Sequence, residues 1–352
     1  MRRRRVRVAS AAAENREPFW DAARSVDLVS AALTKPSTVR SATLLAWVAL
    51  VVVWVVWGST YLAIRVGVRT LPPFTMAAIR YVIAGAILLP IGWMSGSRDQ
   101  RITDRPGVRE WGAMLLLGAM LPAGGNGVVS WAEQKLPSGV AALLVASVPL
   151  WMVVVDALLT RRMPGIARWL ALATGLGGVA ILSGGGSSAA LGPTIAALLA
   201  SISWGTGSVL QGRLPVPSRP LLMAGMEMLC GGLVCGVVAA VRGELTFDTS
   251  QVSAHSWWAL VYLIGPGTLI AMTCYVFVLG RLSPTTVSSY AFVNPVVAVF
   301  LGAVLLDERL TGQQALGAGI VVLAVAGLLV APRRRRSEDA PVRLAGDDFG
   351  SA

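Results

Sequence analysis

Two charged side chains lie inside long apolar stretches of this chain: Arg80 within residues 74–94 and Glu227 within residues 220–241. A charge in the hydrocarbon core of a bilayer is costly, so its default reading is a solute or ion path. Polar residues recur around them at helical spacing. Asn126, Ser130 and Glu133 stand at i, i+4 and i+7, and Thr286, Tyr290 and Asn294 follow at steps of four. Trp204, Ser208 and Gln211 make a third face and Trp57, Thr60 and Tyr61 a fourth, with Tyr275 adding a hydroxyl within 256–279. Residues three and four apart share one side of a helix. Such stripes could surround a small amphipathic solute, with Arg80 and Glu227 either as a pair that opens and closes or as contacts to a charged group. The same hydroxyls and amides could instead join helices, each bond worth under about 1 kcal/mol. Arg80 and Glu227 would then form a fixed pair or reach for the nearer interface.

Other chemistry is poorly served. Cys230, Cys235 and Cys274 fall in apolar stretches and read as small apolar residues, and His255 is the only histidine. No metal site or cofactor is expected from that set. Lys35 and Lys135 lack the preceding glycines of a phosphate loop, and no HExxH or GxSxG pattern occurs, so an enzyme is not expected. The net charge of +12 owes much to the runs Arg2–Arg5 and Arg333–Arg336. Flanking apolar segments, such runs set topology or touch anionic lipid, and a nucleic-acid partner is not expected. The partners implied are a small molecule and the bilayer, with the chain a monomer or a homodimer.

The elements that position these residues are membrane helices. The chain is 55% hydrophobic and 14% charged, with a mean hydropathy of +0.67, which excludes a soluble globular domain. Apolar segments near 44–66, 74–94, 111–132, 138–159, 166–184, 191–211, 220–241, 256–279, 284–306 and 312–331 are each about 20 residues, enough to cross a ~30 Å core as helix. They divide into two copies. Trp57–Arg65 reads WGSTYLAIR, and 147 positions on the chain reads WGTGSVLQGR from Trp204 to Arg213. The same offset relates Met76 to Met223, Gly85 to Gly232, Trp111 to Trp258, Gly165 to Gly312 and Arg80 to Glu227; Pro149 and Pro295 are 146 apart. Five segments per copy is an odd number, so the second copy enters the membrane upside down relative to the first, as in secondary transporters.

The expected fold is all-α integral membrane, ten transmembrane helices in two inverted five-helix repeats at 44–184 and 191–331. Excluding both ends of the chain, 10 Arg or Lys flank the spans on the side holding the termini and 5 on the other. Both termini are therefore expected in the cytoplasm. Residues 1–43 read as a basic, disordered cytoplasmic arm, without an apolar stretch long enough for a signal peptide, and 332–352 as a tail. Pro149 and Pro295 are expected to kink the fourth and ninth helices, as hinges or as static bends. Gly232 and Gly236 form GxxxG, a mark of close packing. Trp93, Trp111, Trp131, Trp169, Trp257 and Trp258 sit near segment ends as interfacial anchors, and Asp156, near Arg161 and Arg162, reads as interfacial.

Several motifs in order carry a resemblance. WGSTYLAIR at 57–65, Arg80-Tyr81, NGVVSWAEQKLPSGVAALLVASVPLW at 126–151, SISWGTGSVLQGR at 201–213, MAGMEML at 223–229 and SSYAFVNPVVAVFLGAVLLDERL at 288–310 resemble the ten-helix EamA-domain exporters of the drug/metabolite transporter superfamily. The likeness covers nearly all of 44–331. The family pattern closes the fourth and ninth helices with an acidic step. Asp307-Glu308 fits it, whereas Thr160-Arg161-Arg162 does not. The resemblance implies two inverted repeats around a central cavity and export of metabolites, amino-acid-like compounds or drugs across the inner membrane. An exchanger or importer of a phosphorylated or sugar-linked solute would need several intramembrane cations, and only Arg80 is present. A non-transporting scaffold is disfavoured by the duplication.

Overall fold

The computed structural model describes residues 36–98, 104–161, 163, 165–184 and 191–330, and every long regular element among them is a helix. In chain order these are α1 (Pro36–Gly67), α2 (Pro73–Met94), α3 (Val108–Ala132), α4 (Ser138–Thr160), α5 (Ile166–Gly184), α6 (Leu191–Gln211), α7 (Pro220–Val241), α8 (Ala254–Leu279), α9 (Pro284–Val287, then Tyr290–Leu306) and α10 (Gly312–Val330). Seven of them, α1 to α4 and α6 to α8, contain stretches long and apolar enough to cross a membrane; α5, α9 and α10 supply shorter apolar helices. Helix is the form that satisfies its own backbone where no water can do so. α1 starts at Pro36, earlier than the apolar pattern suggests, with proline suited to a first turn. The rest of the N-terminal arm and the tail from 331 lie outside the described residues.

The outer surface is apolar where a soluble protein would be polar. Leu170, Val237, Phe300 and Leu323 are each more than 60% exposed, a belt suited to lipid. Trp93, Trp111, Trp169, Trp257 and Trp258 are exposed. Trp131 differs, being packed against the apolar core with the Arg242 guanidinium over its ring.

The closest helix contact joins α2 to α7, the two elements related by the 147-residue offset. Their register follows from the glycines. Val82 meets Gly232, Gly85 meets Leu229, Leu89 meets Gly225, and Gly92 meets Leu222. Numbers rise along α2 as they fall along α7, so the copies of one sequence run antiparallel. The contacts Gly85–Leu229 and Gly232–Val82 are exchanged by the offset itself. A Cβ on either glycine would lie 2.6 Å from a backbone nitrogen of the other helix. α5 and α10, also offset mates, pack antiparallel too, with Gly178 against Ile320 and Gly317 against Leu182. Small residues that let backbones approach drive association where no hydrophobic effect acts between helices.

Four helices are interrupted. α3 runs through a π-helical segment at Ala119–Gly127 and α8 through another at Gly265–Ile270, beginning 146 residues apart and containing Pro122 and Pro266. Each proline removes a backbone donor, and the wider turn is a common response. The expectation for Pro149 needs correction. α4 is not a continuous kinked helix: it is two pieces, Ser138–Val145 and Val148–Thr160, parted by a turn at 146–147. Pro149 occupies the first turn of the second piece, where a missing donor costs little. α9 parts similarly at 288–289, and Pro295 stays inside its second piece. Serines take up the freed carbonyls. Ser147 Oγ donates to the Leu144 carbonyl at 2.6 Å, as does Ser201 Oγ at 3.2 Å. Ser289 Oγ donates to the Thr286 carbonyl at 2.6 Å and accepts from Trp54 Nε1 at 3.0 Å. Trp54 and Ser201 are themselves 147 apart, so equivalent positions on α1 and α6 brace the two breaks.

One cation outside the spans ties several elements together. Arg219, 4% exposed, donates from Nε to Asp104 Oδ2 at 3.1 Å, from Nη1 to the Trp93 carbonyl at 2.8 Å, and from Nη2 to the Asp104 carbonyl at 2.9 Å. Arg219→Ala leaves Asp104 without its cation, which costs about 3–5 kcal/mol for a buried pair. The expected readout is a lowered apparent Tm of the purified protein in detergent. Gly85→Leu is expected to lower it also, by an overpacking cost of about 1–3 kcal/mol or more, because the obstacle is backbone. An unchanged melting curve would show that α2 and α7 do not meet at this register.

Candidate functional site

Two groups of residues come together inside the bundle. The first is aromatic. The Trp57 ring lies 5.0 Å from that of Tyr275 and 5.1 Å from that of Tyr290, and the two tyrosine rings are 5.9 Å apart, the last two pairs edge to face. Each such pair is worth about 0.5–1.5 kcal/mol beyond burial. α1, α8 and α9 supply one ring each, and all three are partly exposed. Asn294, one turn beyond Tyr290, is nearly buried; with its amide nitrogen turned toward them it donates to the Trp54 and Tyr290 carbonyls at 3.1 and 3.2 Å. That makes Asn294 a brace for the α1–α9 contact. Tyr61, one turn beyond Trp57, lies within electrostatic range of Glu133, Tyr290 and Tyr81, and so joins the aromatic group to the second.

The second group gathers at the ends of α1, α3 and α9 and the start of α4. Arg65 Nη1 donates to the backbone carbonyl of Glu133. Glu308 folds back past the end of α9, where its Oε1 accepts from Ser138 N at 3.0 Å and its Oε2 from Ser138 Oγ at 2.8 Å and Gly139 N at 3.3 Å. An acid there also suits the positive end of α4. Two local features allow it. Asp307 ends the helix in the left-handed region, φ 54°, and Gly302 leaves a space: a Cβ on it would sit 2.5 Å from Glu308 Oε2 and 2.9 Å from Ser138 Oγ. Asp is among the few side chains that adopt this conformation at modest cost. Glu133, the residue after α3, is fully buried, and neither carboxylate oxygen has a hydrogen-bond partner among the described residues.

The remaining predicted positions are placed apart from these. Arg80 does not pair with Glu227 in this conformation. Its Nε donates to Thr268 Oγ1 at 2.9 Å, and Thr268 in turn donates to the Leu263 carbonyl at 2.7 Å. The four ion pairs among the described residues are Arg213–Asp156, Arg219–Asp104, Arg242–Glu244 and Arg309–Asp307. The α2–α7 register is the reason: with Gly85 against Leu229 and Gly225 against Leu89, Glu227 comes level with Ile87, two turns along α2 from Arg80. Glu227 is partly exposed on α7. Ser130 and Ser208 each return their hydroxyl to the carbonyl four residues back, those of Asn126 and Trp204, at 2.8 Å. Trp204 packs on Gly125 in the π-helical part of α3, beside the partly exposed Asn126.

Sequence reading missed several contributors. Arg65 counted only as a charge at a span end, and Ser138 and Thr268 not at all. Arg65 closes one motif, Glu133 and Ser138 lie in a second and Glu308 in a third, but their convergence is a property of helix packing. Pro122 and Pro266 within apolar segments were the available signal for the π-helical turns that present Thr268 and Asn126.

Comparison with known proteins gives a consistent result. The sequence matches the EamA-like transporter family twice, at residues 44–184 and 192–330. It is 38% identical over 283 residues to the uncharacterized inner membrane transporter YedA of Escherichia coli (strain K12), spanning 79% of this chain and 88% of that one. It is 27% identical to a probable terminal-alkyne amino-acid exporter of Streptantibioticus cattleyicolor, over 84% and 97% of the two chains. Protein PecM of Dickeya dadantii is 29% identical over 77% and 87%. A solved crystal structure with 22% identity superposes with a TM-score of 0.54, covering 84% of this chain and 99% of the other, which indicates a shared fold. With two family matches spanning most of its length and a relative at 38% identity, this multi-pass membrane protein belongs to the EamA-like transporter family.

Proposed function

We propose that the protein exports a small metabolite, an amino-acid-like compound or a drug across the bacterial inner membrane by alternating access between two inverted repeats of five spans, with both termini in the cytoplasm. The observation that carries this is the antiparallel packing of α2 on α7 and of α5 on α10, each pair made of copies of one sequence. Copies that run in opposite directions are what a two-fold axis in the membrane plane produces, and counting α5, α9 and α10 as spans gives ten. The charge asymmetry of the loops supports this orientation.

The interior suits an amphipathic solute with an ammonium, amide or aromatic part. Trp57, Tyr275 and Tyr290 offer ring faces, which attract cations as well as apolar groups, and Tyr61, Asn126 and Glu227 offer polar contacts. A phosphorylated or sugar-linked substrate fits less well, because Arg80 is the lone intramembrane cation of the spans and its Nε is committed to Thr268. Relatives named as transporters and as an exporter agree with a transport role.

Efflux from proteoliposomes over a panel of amino-acid-like compounds and amphiphilic drugs, with and without a pH gradient, tests the reading. Accumulated flux of at least one compound is expected; no flux of any compound would favour a scaffold. With a substrate in hand, Trp57→Ala is expected to reduce flux about tenfold, the loss of two ring pairs at ~0.5–1.5 kcal/mol each. Glu227→Ala should abolish transport if that residue contacts the substrate. Ser208→Ala should leave flux within about twofold, because its hydroxyl is spent on its own helix at under about 1 kcal/mol.

A further inference from the structure

Glu133 is buried with no exposed surface, and both of its carboxylate oxygens lack hydrogen-bond partners among the described residues. An ionised carboxylate in that position forfeits its hydration, at several kcal/mol, unless a cation and donors replace the water. The groups facing it do not replace it. From α1, Arg65 is in range, but it donates to the Glu133 backbone carbonyl, and Tyr61 presents a phenol. From beyond α9, Glu308 presents a like charge. From the end of α7, Arg242 lies over Trp131 but donates to Glu244 at 2.7 Å. Tyr290 of α9 and Tyr81 of α2 lie behind Tyr61, Arg80 of α2 is bonded to Thr268, and the segments 138–145 and 191–211 carry no titratable side chain.

We propose that Glu133 is a proton-binding site whose occupancy is linked to closure of the mouth formed by the ends of α1, α3 and α9 and the start of α4. In the closed state the carboxyl carries one proton taken from the aqueous phase on that side; one O–H bond forms and nothing else changes hands. The latch is the Glu308 contact with Ser138 and Gly139, in which three donors serve its carboxylate. Loss of the proton from Glu133 would put a second negative charge within electrostatic range of Glu308 in a buried position, and parting of the latch relieves both the repulsion and the missing hydration. An open depression lined by Arg69, Gln134, Arg242 and Glu244 reaches the residue next to Glu133 in the chain, and it is the route by which water would enter on opening. The sign follows. A proton held more tightly when closed favours the closed state at low pH, and closure is lost as pH rises through the closed-state midpoint. The inference rests on the export reading only for its consequence, that an outward-facing carrier releases substrate, takes up a proton and closes with it.

The test needs no substrate. Spin labels at Lys135→Cys and Arg309→Cys, both exposed beside the mouth, in a chain whose Cys230, Cys235 and Cys274 are replaced by Ala, report the span of the mouth in liposomes by electron–electron distance measurement. Wild type is expected to shift from a short to a long distance as pH rises, with an infrared band of a protonated carboxyl fading over the same range. Glu133→Gln should remain short at every pH and lose that band; Glu133→Asp should keep the shift. Gly302→Ala, which obstructs Glu308 without altering a titratable group, should be long at every pH. A wild-type distance that ignores pH, an absent carboxyl band, or a shift that survives Glu133→Gln and disappears in Glu227→Gln would each overturn the proposal. Flux without a pH-dependent distance would sink this inference and leave export standing; a pH-dependent distance without flux would do the reverse.

Discussion

The contact of α2 with α7 at Gly85, Gly92, Gly225 and Gly232 is the constraint from which the rest of the architecture follows. Inside a bilayer there is no hydrophobic gain in bringing helices together, so association depends on close backbone approach and on interhelical hydrogen bonds. Glycine at the crossing permits that approach. Because the two helices are copies of one segment, their antiparallel packing also fixes how the copies relate elsewhere. α5 meets α10, α6 braces the break in α4, and α1 braces the break in α9. A side chain on Gly85 or Gly232 would therefore disturb the pairing and the frame that holds the interior residues.

Symmetry of the frame is not symmetry of the chemistry. The offset exchanges Arg80 with Glu227 and Trp54 with Ser201. Trp57 joins two tyrosines, whereas Trp204 rests on a glycine. At the end of α9 an acid grips the start of α4, and at the corresponding end of α4 the sequence has arginines. Yet Arg161 and Asp307, 146 apart, both take the left-handed conformation. The backbone turn is common to the two copies, and the side chains on it have diverged. Equivalent turns in the two copies therefore carry different charges, so the two ends of the bundle differ in chemistry while sharing a backbone path.

Hydroxyl-bearing residues divide by what they bond. Ser130, Ser147, Ser201 and Ser208 direct their hydroxyls to carbonyls of the helical framework. The first and last of these only restate their own helix, while Ser147 and Ser201 complete the break in α4. Helical spacing placed Ser130 and Ser208 on polar faces, but it could not distinguish a hydroxyl turned back on its own turn from one free for a solute. The aromatic residues are more informative, since a ring cannot be satisfied by its own backbone.

The apolar segments, their rough bounds, the duplication and the placement of charges at segment ends were determined by the residues in order, because a bilayer admits few alternatives to a helix of about 20 residues. Arg80 and Glu227 were identifiable as unusual for the same reason. What joins what was decided only by packing. Arg80 bonds to Thr268, 188 positions away, and Glu308 to Ser138, 170 away, and no local pattern encodes a partner at that distance. The breaks at 146–147 and 288–289 also depend on serines and on bracing from other helices, so proline alone misplaced one of them. Burial of Glu133 without a hydrogen-bond partner among the described residues is the clearest case: its spacing from Asn126 and Ser130 set its face, but only the packing of other elements around it buried the carboxylate.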